Sequence, residues 1–377
     1  MRVDIAVIGA GMAGASLAAE LAGEATLLLL EAEDQPGYHS TGRSAAFWAE
    51  SYGGPFVQPL TTASGPFLER NGFLAPRGGL HIADVGGLNA LAELESGFGG
   101  GVAFERLGEA ELKALLPGLR GGWVAGLLEP SCTDIDVAGL HGFYLAHARR
   151  NGAALATGAE VRGLRRGEQG WTVETAAGEF SAGLIVNAAG AWADKVAALA
   201  GAAPIGLQPY RRTLAQLRVD PPVPSRLPLV IDALGRFYFK PEAGGRLWLS
   251  PHDETPSEPG DCAPEELDVA VAIDRLERTV DWKVERVERS WAGLRSFAPD
   301  RRPVYGFDPA IPGFFWCAGQ GGFGIQTAPA AARLAADLLL GRAPELDPEP
   351  YAPGRATLQP RYFPASSARP ASRRRYR

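Results

Sequence analysis

Lysine is almost missing from this chain of 377 residues, where four lysines stand against 33 arginines. Cysteine is scarce too. Cys132, Cys262 and Cys317 lie far apart and form no Cys-x-x-Cys pair. That spacing argues against a disulfide framework or a zinc site, so the expectation is no metal centre and a reducing, cytoplasmic setting. Long apolar runs are absent as well. Ala25–Leu30 and Leu184–Val186 are short, well under the roughly 20 residues that span a bilayer. No signal-peptide pattern precedes the first apolar run, Val3–Ile8. Nor is there a surplus of positive charge. The net charge is −6, and residues 361–377 hold six arginines and no acid, which leaves about −12 on the rest. Nucleic acid is therefore not an expected partner of the body. The basic end reads as a solvated tail; contact with an anionic surface, such as the inner membrane, is the alternative.

What remains is a globular composition, 46% hydrophobic and 21% charged, in a chain long enough for about two domains. Its densest signal comes first. The apolar run Val3–Ile8 leads into Gly9-x-Gly11-x-x-Gly14, and Leu27–Leu30 ends on Glu31. This predicts a strand, a glycine turn, a helix and a second strand closed by a carboxylate. Gly9 permits a tight turn, Gly11 lets a pyrophosphate approach the backbone, and Gly14 lets the helix pack on the strand. Met12 and Ala13 open the helix, whose positive end favours phosphate. Glu31 stands where a carboxylate accepts the hydroxyls of an adenosine ribose. The expectation is a bound dinucleotide, with FAD and NAD equally open at this point.

Further along, residues 35–46 form a polar loop leading into an expected helix, with Ser40, Thr41, Arg43, Ser44 and Ala45 as candidate cofactor contacts. An amphipathic helix is expected over 136–150 and a hairpin over 160–175. A buried strand, 184–188, then meets the small-residue turn Ala189-Gly190-Ala191-Trp192. Strands are expected at 212–218, 236–240 and 247–250, and a helix at 264–280. A final strand–turn–helix unit runs over 314–340, its turn being Gly319–Gly324. The expected fold class is α/β, with a Rossmann-type dinucleotide-binding domain from 1–46, 151–202 and 301–342. Residues 47–150 and 203–300 are expected to build an interleaved α+β substrate-binding domain on an antiparallel sheet, and 343–377 a Pro/Arg-rich tail. Ligand should sit where the two bodies meet.

Taken together, five segments resemble the FAD-dependent D-amino-acid oxidase superfamily, with the D-arginine (D-amino acid) dehydrogenase-like branch as the nearest look-alike. They are Gly9–Glu31, Gly37–Ala46, Val186–Trp192, Trp291–Asp300 and Gly319–Thr327. The resemblance implies FAD, held non-covalently, because the cysteine that carries flavin in sarcosine-oxidase relatives is absent near Gly293. It also implies cofactor contacts at Val161, Ala189, Gly190, Trp192, Gly319, Gly321, Gly322, Gly324, Ile325, Gln326 and Thr327. Arg212 and Arg295 match arginines that bind a substrate carboxylate, a role suited to the guanidinium fork. Tyr52 and Tyr238 match pocket tyrosines, and Gly322 and Gln326 match positions near the substrate amine. The look-alikes carry a carboxylate where this chain has Gly79 and a histidine where it has Phe47. Both changes remove polarity and favour a neutral or apolar side chain, although Glu50 could restore a carboxylate.

The implied reaction is oxidation of a D-amino acid to its imino acid by hydride transfer from Cα to the flavin, then hydrolysis to a 2-oxo acid and ammonia. The electron acceptor is either a quinone of the respiratory chain or oxygen. None of His39, His81, His141, His147 and His252 is expected to act as a base. Glycine, a secondary amine or a 2-hydroxy acid is the alternative donor, and a non-catalytic flavin-binding subunit is the other class of function. Either a monomer or a homodimer is compatible. The arginine bias points to a GC-rich bacterial genome.

Overall fold

The computed structural model describes residues 2–358. Its first sheet is built around Arg2–Ile8, which has a parallel neighbour on each side: Leu27–Leu30 and the second half of Gly178–Asn187. Ala154–Ala156 extends the sheet beyond the former. Phe314–Ala318 extends it beyond the latter, followed by antiparallel Val304–Phe307. Side chains alternate across a strand, and here both faces are covered. Ile5, Val7 and Leu29 pack under the helices Met12–Leu21, Val137–Arg150 and Ala328–Leu339. Ala6, Ile8, Leu28 and Leu30 pack on the opposite face with Trp316 and the helix Ala193–Leu199. Burial on both faces explains why Ile5–Ile8 and Leu27–Leu30 read as unbroken apolar runs. The first half of Gly178–Asn187 instead joins the antiparallel hairpin Val161–Gly167/Gly170–Thr175.

The second sheet carries the other body. From one edge it runs Glu105–Gly108, Trp123–Glu129, Gly79–Asp84, Leu229–Asp232, Tyr238–Glu242, Arg246–Ser250 and Gln208–Asp220. Lys283–Phe297 pairs with Gln208–Asp220 from the register Gln208↔Phe297 to Asp220↔Lys283. It is antiparallel as expected except at one place, where Leu229–Asp232 runs parallel to Gly79–Asp84. These two are far apart in the chain, so no tight hairpin dictates their direction. The helix Glu266–Thr279 buries Ala272 and Leu276 against the outer half of this sheet. Phe47–Trp48, Thr133–Ile135 and Leu74–Pro76 form a small third sheet.

Three expectations change. The loop 35–46 leads into the short strand Phe47–Trp48 rather than a helix, and the next helix is Gln58–Arg70. That helix and Val137–Arg150, expected with the substrate-binding body, bury Leu60, Leu68, Leu140 and Tyr144 in the core under the first sheet. Their apolar stripes find partners there in the opening and closing helices. Residues 343–358 are not a free tail. Tyr351 and Leu358 are buried, and Arg355 grips Asp300 at 2.7 Å with side chains 7% and 9% exposed. The tail arginines, residues 361–377, lie outside the described residues. Among the described residues no helix is long and apolar enough to cross a membrane, and no cluster of His, Cys, Asp or Glu could hold a metal ion.

Burial opposes the charge of Asp300, yet Arg355 and Thr357 hold its carboxyl at about 2. A carboxylate held below its ordinary value of about 3.9 stabilises the fold above that pH and stops doing so as pH falls toward 2. Arg355→Ala is expected to cost about 3 kcal/mol in denaturant unfolding at pH 7. The same measurement from pH 5 down to pH 2 should show a smaller acid-induced loss in the variant than in the parent.

Candidate functional site

Two cavities meet between the sheets. The larger, of about 620 Å³, runs from the first glycine turn to the last. Gly9 takes a left-handed φ of +99°, and a Cβ there would lie 2.4 Å from the Ala188 carbonyl oxygen. A Cβ on Gly14 would lie 1.9 Å from the Gly9 carbonyl oxygen. Both positions therefore require glycine, Gly9 for the turn and Gly14 for helix packing. Gly9, Gly11, Met12, Ala13, Glu31, Ser40, Thr41, Arg43, Ser44, Ala45, Val161, Ala189, Gly190 and Trp192 all line this cavity. So do Gly321, Gly322, Gly324 and Ile325 at its far end, and among the described residues no cysteine lines it. Glu31 is buried and accepts from the amides of Ala10 and Glu33. Thr41 accepts from the Met12 amide at 3.0 Å and so caps the opening helix.

Other expected contacts are spent elsewhere or lie behind the surface. The Arg43 guanidinium pairs with Asp261 at 2.6 Å and donates to the carbonyls of Cys262 and Ala292, tying its loop to the second body. Gly14, Gly319, Gln326 and Thr327 do not reach the cavity surface. Gln326, expected near a substrate amine, is 1% exposed and lines neither cavity. Its carboxamide is spent on the Ala49 amide, the Tyr52 carbonyl and the Thr61 hydroxyl.

The smaller cavity, of about 510 Å³, shares only Arg212 and Arg295 with the larger. The long ladder brings these two together. Arg212 pairs with Gly293, so Arg295, two residues on, projects from the same face. Arg211 projects from the other face and pairs with Glu265 and Asp268. Arg212 is 3% exposed; its Nε donates to the Asp253 carbonyl at 2.7 Å and its Nη2 to Glu254. Its Nη1 has no partner among the described residues. Burial and the neighbouring Arg295 both lower the proton affinity of Arg212. At Arg295 burial has the same sense, but the phenols of Tyr52 and Tyr238 with Glu254 and Asp253 outweigh it. Both guanidiniums stay charged. Arg295 Nη1 donates to the Tyr52 hydroxyl at 2.7 Å. Gly322 faces this pair, and a Cβ on it would lie 2.2 Å from the Tyr52 hydroxyl and 2.9 Å from Arg295 Nη1.

Phe47, Gly79, Leu229, Ile231 and Tyr238 line the rest of this cavity with His81, Glu129, Asp232 and His252. The two histidines were not expected at a site. His252 sits at a left-handed φ of +58° with its ring edge-on to Tyr238. Burial, then the charges of Arg212 and Arg295, push its pKa down to about 3, and burial alone takes His81 to about 4. Both imidazoles are therefore neutral near pH 7. No motif signalled them, because His252 enters through a turn conformation and Glu129 through the end of an edge-side strand. Glu50, which could have supplied a carboxylate, is bonded to Thr62 and does not line the cavity. Chemically, the junction offers two cations to an anion, flanked by phenols, uncharged imidazoles and apolar walls.

Comparison with known proteins places this architecture. The family model described as DAO, FAD dependent oxidoreductase, matches residues 4–338. A glycine oxidase of Geobacillus kaustophilus is 28% identical over 93% of this chain and 96% of its own length. Its crystal structure superposes with a TM-score of 0.83 at 24% identity, covering 94% of this chain and 99% of that one. A glycine oxidase of Pseudomonas aeruginosa is 35% identical over 52% of each chain. The expected superfamily is thus found, with glycine oxidases rather than a D-arginine dehydrogenase as the relatives described. The chain belongs to the DAO family of FAD-dependent oxidoreductases.

Proposed function

We propose that the protein oxidises an amino acid whose carboxylate is held by Arg212 and Arg295. The carrying observation is Arg212 Nη1, a buried donor without a protein partner beside a second guanidinium, where the two cavities meet. A buried, unpaired donor is costly, and a planar carboxylate matches the fork of a guanidinium.

The residues of the larger cavity suit FAD: a glycine turn with no room for a Cβ at one end, Glu31 beside it, and a second glycine turn at the other end. Gly9, Gly11, Met12 and Ala13 would hold the pyrophosphate, Glu31 the ribose, and the 321–325 turn the ring system. When bound, FAD supplies two-electron oxidising chemistry. The arginine pair orients the substrate carboxylate and so fixes which Cα–H faces the larger cavity. Tyr52 and Tyr238 exclude water from the same place. Neutral His81 and His252 add no third positive charge beside the substrate amine. The resulting imino acid hydrolyses to a 2-oxo acid and ammonia.

A cavity of about 510 Å³ with Phe47, Leu229, Ile231 and Phe98 in its wall supports a D-amino acid with an apolar side chain. The glycine oxidase relatives favour a second reading, glycine or a secondary amine. The electrons pass on to oxygen or a quinone.

Anaerobic addition of D-alanine, D-valine, D-phenylalanine, their L-forms and glycine to the purified yellow protein separates these readings. The D-forms are expected to bleach the flavin and the L-forms to leave it unchanged. Fastest bleaching by glycine, or by N-methylglycine added in parallel as a secondary amine, selects the second reading, and a flavin that none of these compounds reduces overturns both. Arg212→Lys keeps a charge but loses the fork. Steady-state kinetics should show kcat/KM lower by about 100-fold, roughly 3 kcal/mol, with flavin content unchanged. Gly322→Ala pushes a methyl group into Tyr52 and Arg295, and is expected to raise KM by at least about tenfold while the protein stays yellow.

A further inference from the structure

Outside the arginine pair, the strongest unexplained feature is Glu129, the end of the strand Trp123–Glu129. Its residue exposure is 0%, and among the described residues no cation pairs with it. Its carboxylate accepts from the Glu50 amide at 2.7 Å, the Ser51 amide at 3.4 Å and the Ser51 hydroxyl. Burial raises its pKa. Glu129 borders the smaller cavity, but its oxygens are taken up by these protein donors rather than offered to a substrate, and burying such a carboxylate is expensive. Its bonds converge on one short segment. From the opposite side Gln326 accepts from the Ala49 amide at 3.2 Å and donates to the Tyr52 carbonyl at 2.9 Å. Residues 49–52 are thus held in the middle by Glu129 from the second sheet and at both ends by Gln326, just after the last glycine turn. The segment they hold presents the Tyr52 hydroxyl to Arg295.

We infer that Glu129 is a positioning residue for substrate-carboxylate binding, acting through the 49–52 segment, Tyr52 and Arg295. The inference rests on the reading of Arg295 as a carboxylate ligand. Among the described residues the Arg295 guanidinium has one hydrogen-bond partner, Tyr52, and Gly322 packs close against the same pair. A shift of residues 49–52 therefore moves the Tyr52 hydroxyl and lets the Arg295 guanidinium leave its place beside Arg212.

The test uses the FAD-loaded protein with acetate as a minimal carboxylate, its Kd read from the perturbed flavin absorbance. Glu129→Ala is expected to weaken acetate about tenfold at unchanged flavin content, with Glu129→Gln, which keeps one acceptor, in between. Tyr52→Phe should weaken it by a similar factor. The double variant Glu129→Ala/Tyr52→Phe should be no weaker than Tyr52→Phe within about twofold, because the two act in series. Multiplying losses in the double variant, or an unchanged Kd in Glu129→Ala, overturns the inference and reduces Glu129 to a fold-stabilising group. Should Glu129→Ala not fold, Ser51→Ala decides. It removes one donor, and a two- to threefold weaker acetate supports the inference, whereas an unchanged Kd defeats it. A parent protein that binds no carboxylate instead overturns the carboxylate reading itself.

Discussion

Two like charges held side by side away from water are the constraint around which this molecule is arranged. Arg212 and Arg295 sit on one face of the long ladder, and each has been given partial compensation. Asp253 and Glu254 arrive on a loop after the strand Arg246–Ser250, while Tyr52 arrives from a segment between the bodies. The compensation is incomplete, since the buried Arg212 Nη1 has no partner among the described residues. An anion that completes it enters a place already desolvated and already oriented, which lowers the ordering cost of binding. His252 is kept neutral by burial first, to which the same two charges add, and His81 by burial alone.

The dinucleotide half was legible in the sequence because its requirements are local. A tight turn, a helix start and a carboxylate at the next strand end occur within 31 residues, and each has a residue type that alone satisfies it. The arginine pair was legible through resemblance, and its alternation with Arg211 through the period of a strand. Of the smaller cavity, Phe47, Tyr52, Gly79 and Tyr238 were named through the same resemblance, and the rest of its wall was not. Glu129, His81, Asp232 and His252 come from four separate strands or turns of the second sheet. Only the register of that sheet brings them together, and the parallel pairing of Leu229–Asp232 with Gly79–Asp84 has no sequence mark. Gln326 shows the opposite error. It lies in the right motif, but its side chain turns inward to brace the backbone.

The interleaving of the bodies follows from where strands can be added. Arg2–Ile8 is flanked on both sides, so later segments must return to the sheet edges. Each return passes the interface, and each passage leaves something there: the 38–46 loop, the 49–52 segment, the turn after Asn187, the turn after Ala318. The helices Gln58–Arg70 and Val137–Arg150 dock back on the first body although the chain between them builds the second. Nearly every wall of the interface is thereby tied to both cores. Arg43 is one such tie, spending its charge on Asp261 and two carbonyls.

The long ladder has a consequence for how such a site can diversify. Its backbone hydrogen bonds fix the two arginines relative to one another independently of the other walls of the smaller cavity. Phe47, Gly79, Leu229, Ile231 and Phe98 belong to other elements and carry none of that alignment. Substitutions among them can reshape the space for a side chain while the anchor for the acid group stays in place. Selectivity and grip are inherited through different parts of the chain, so drift in one need not erode the other.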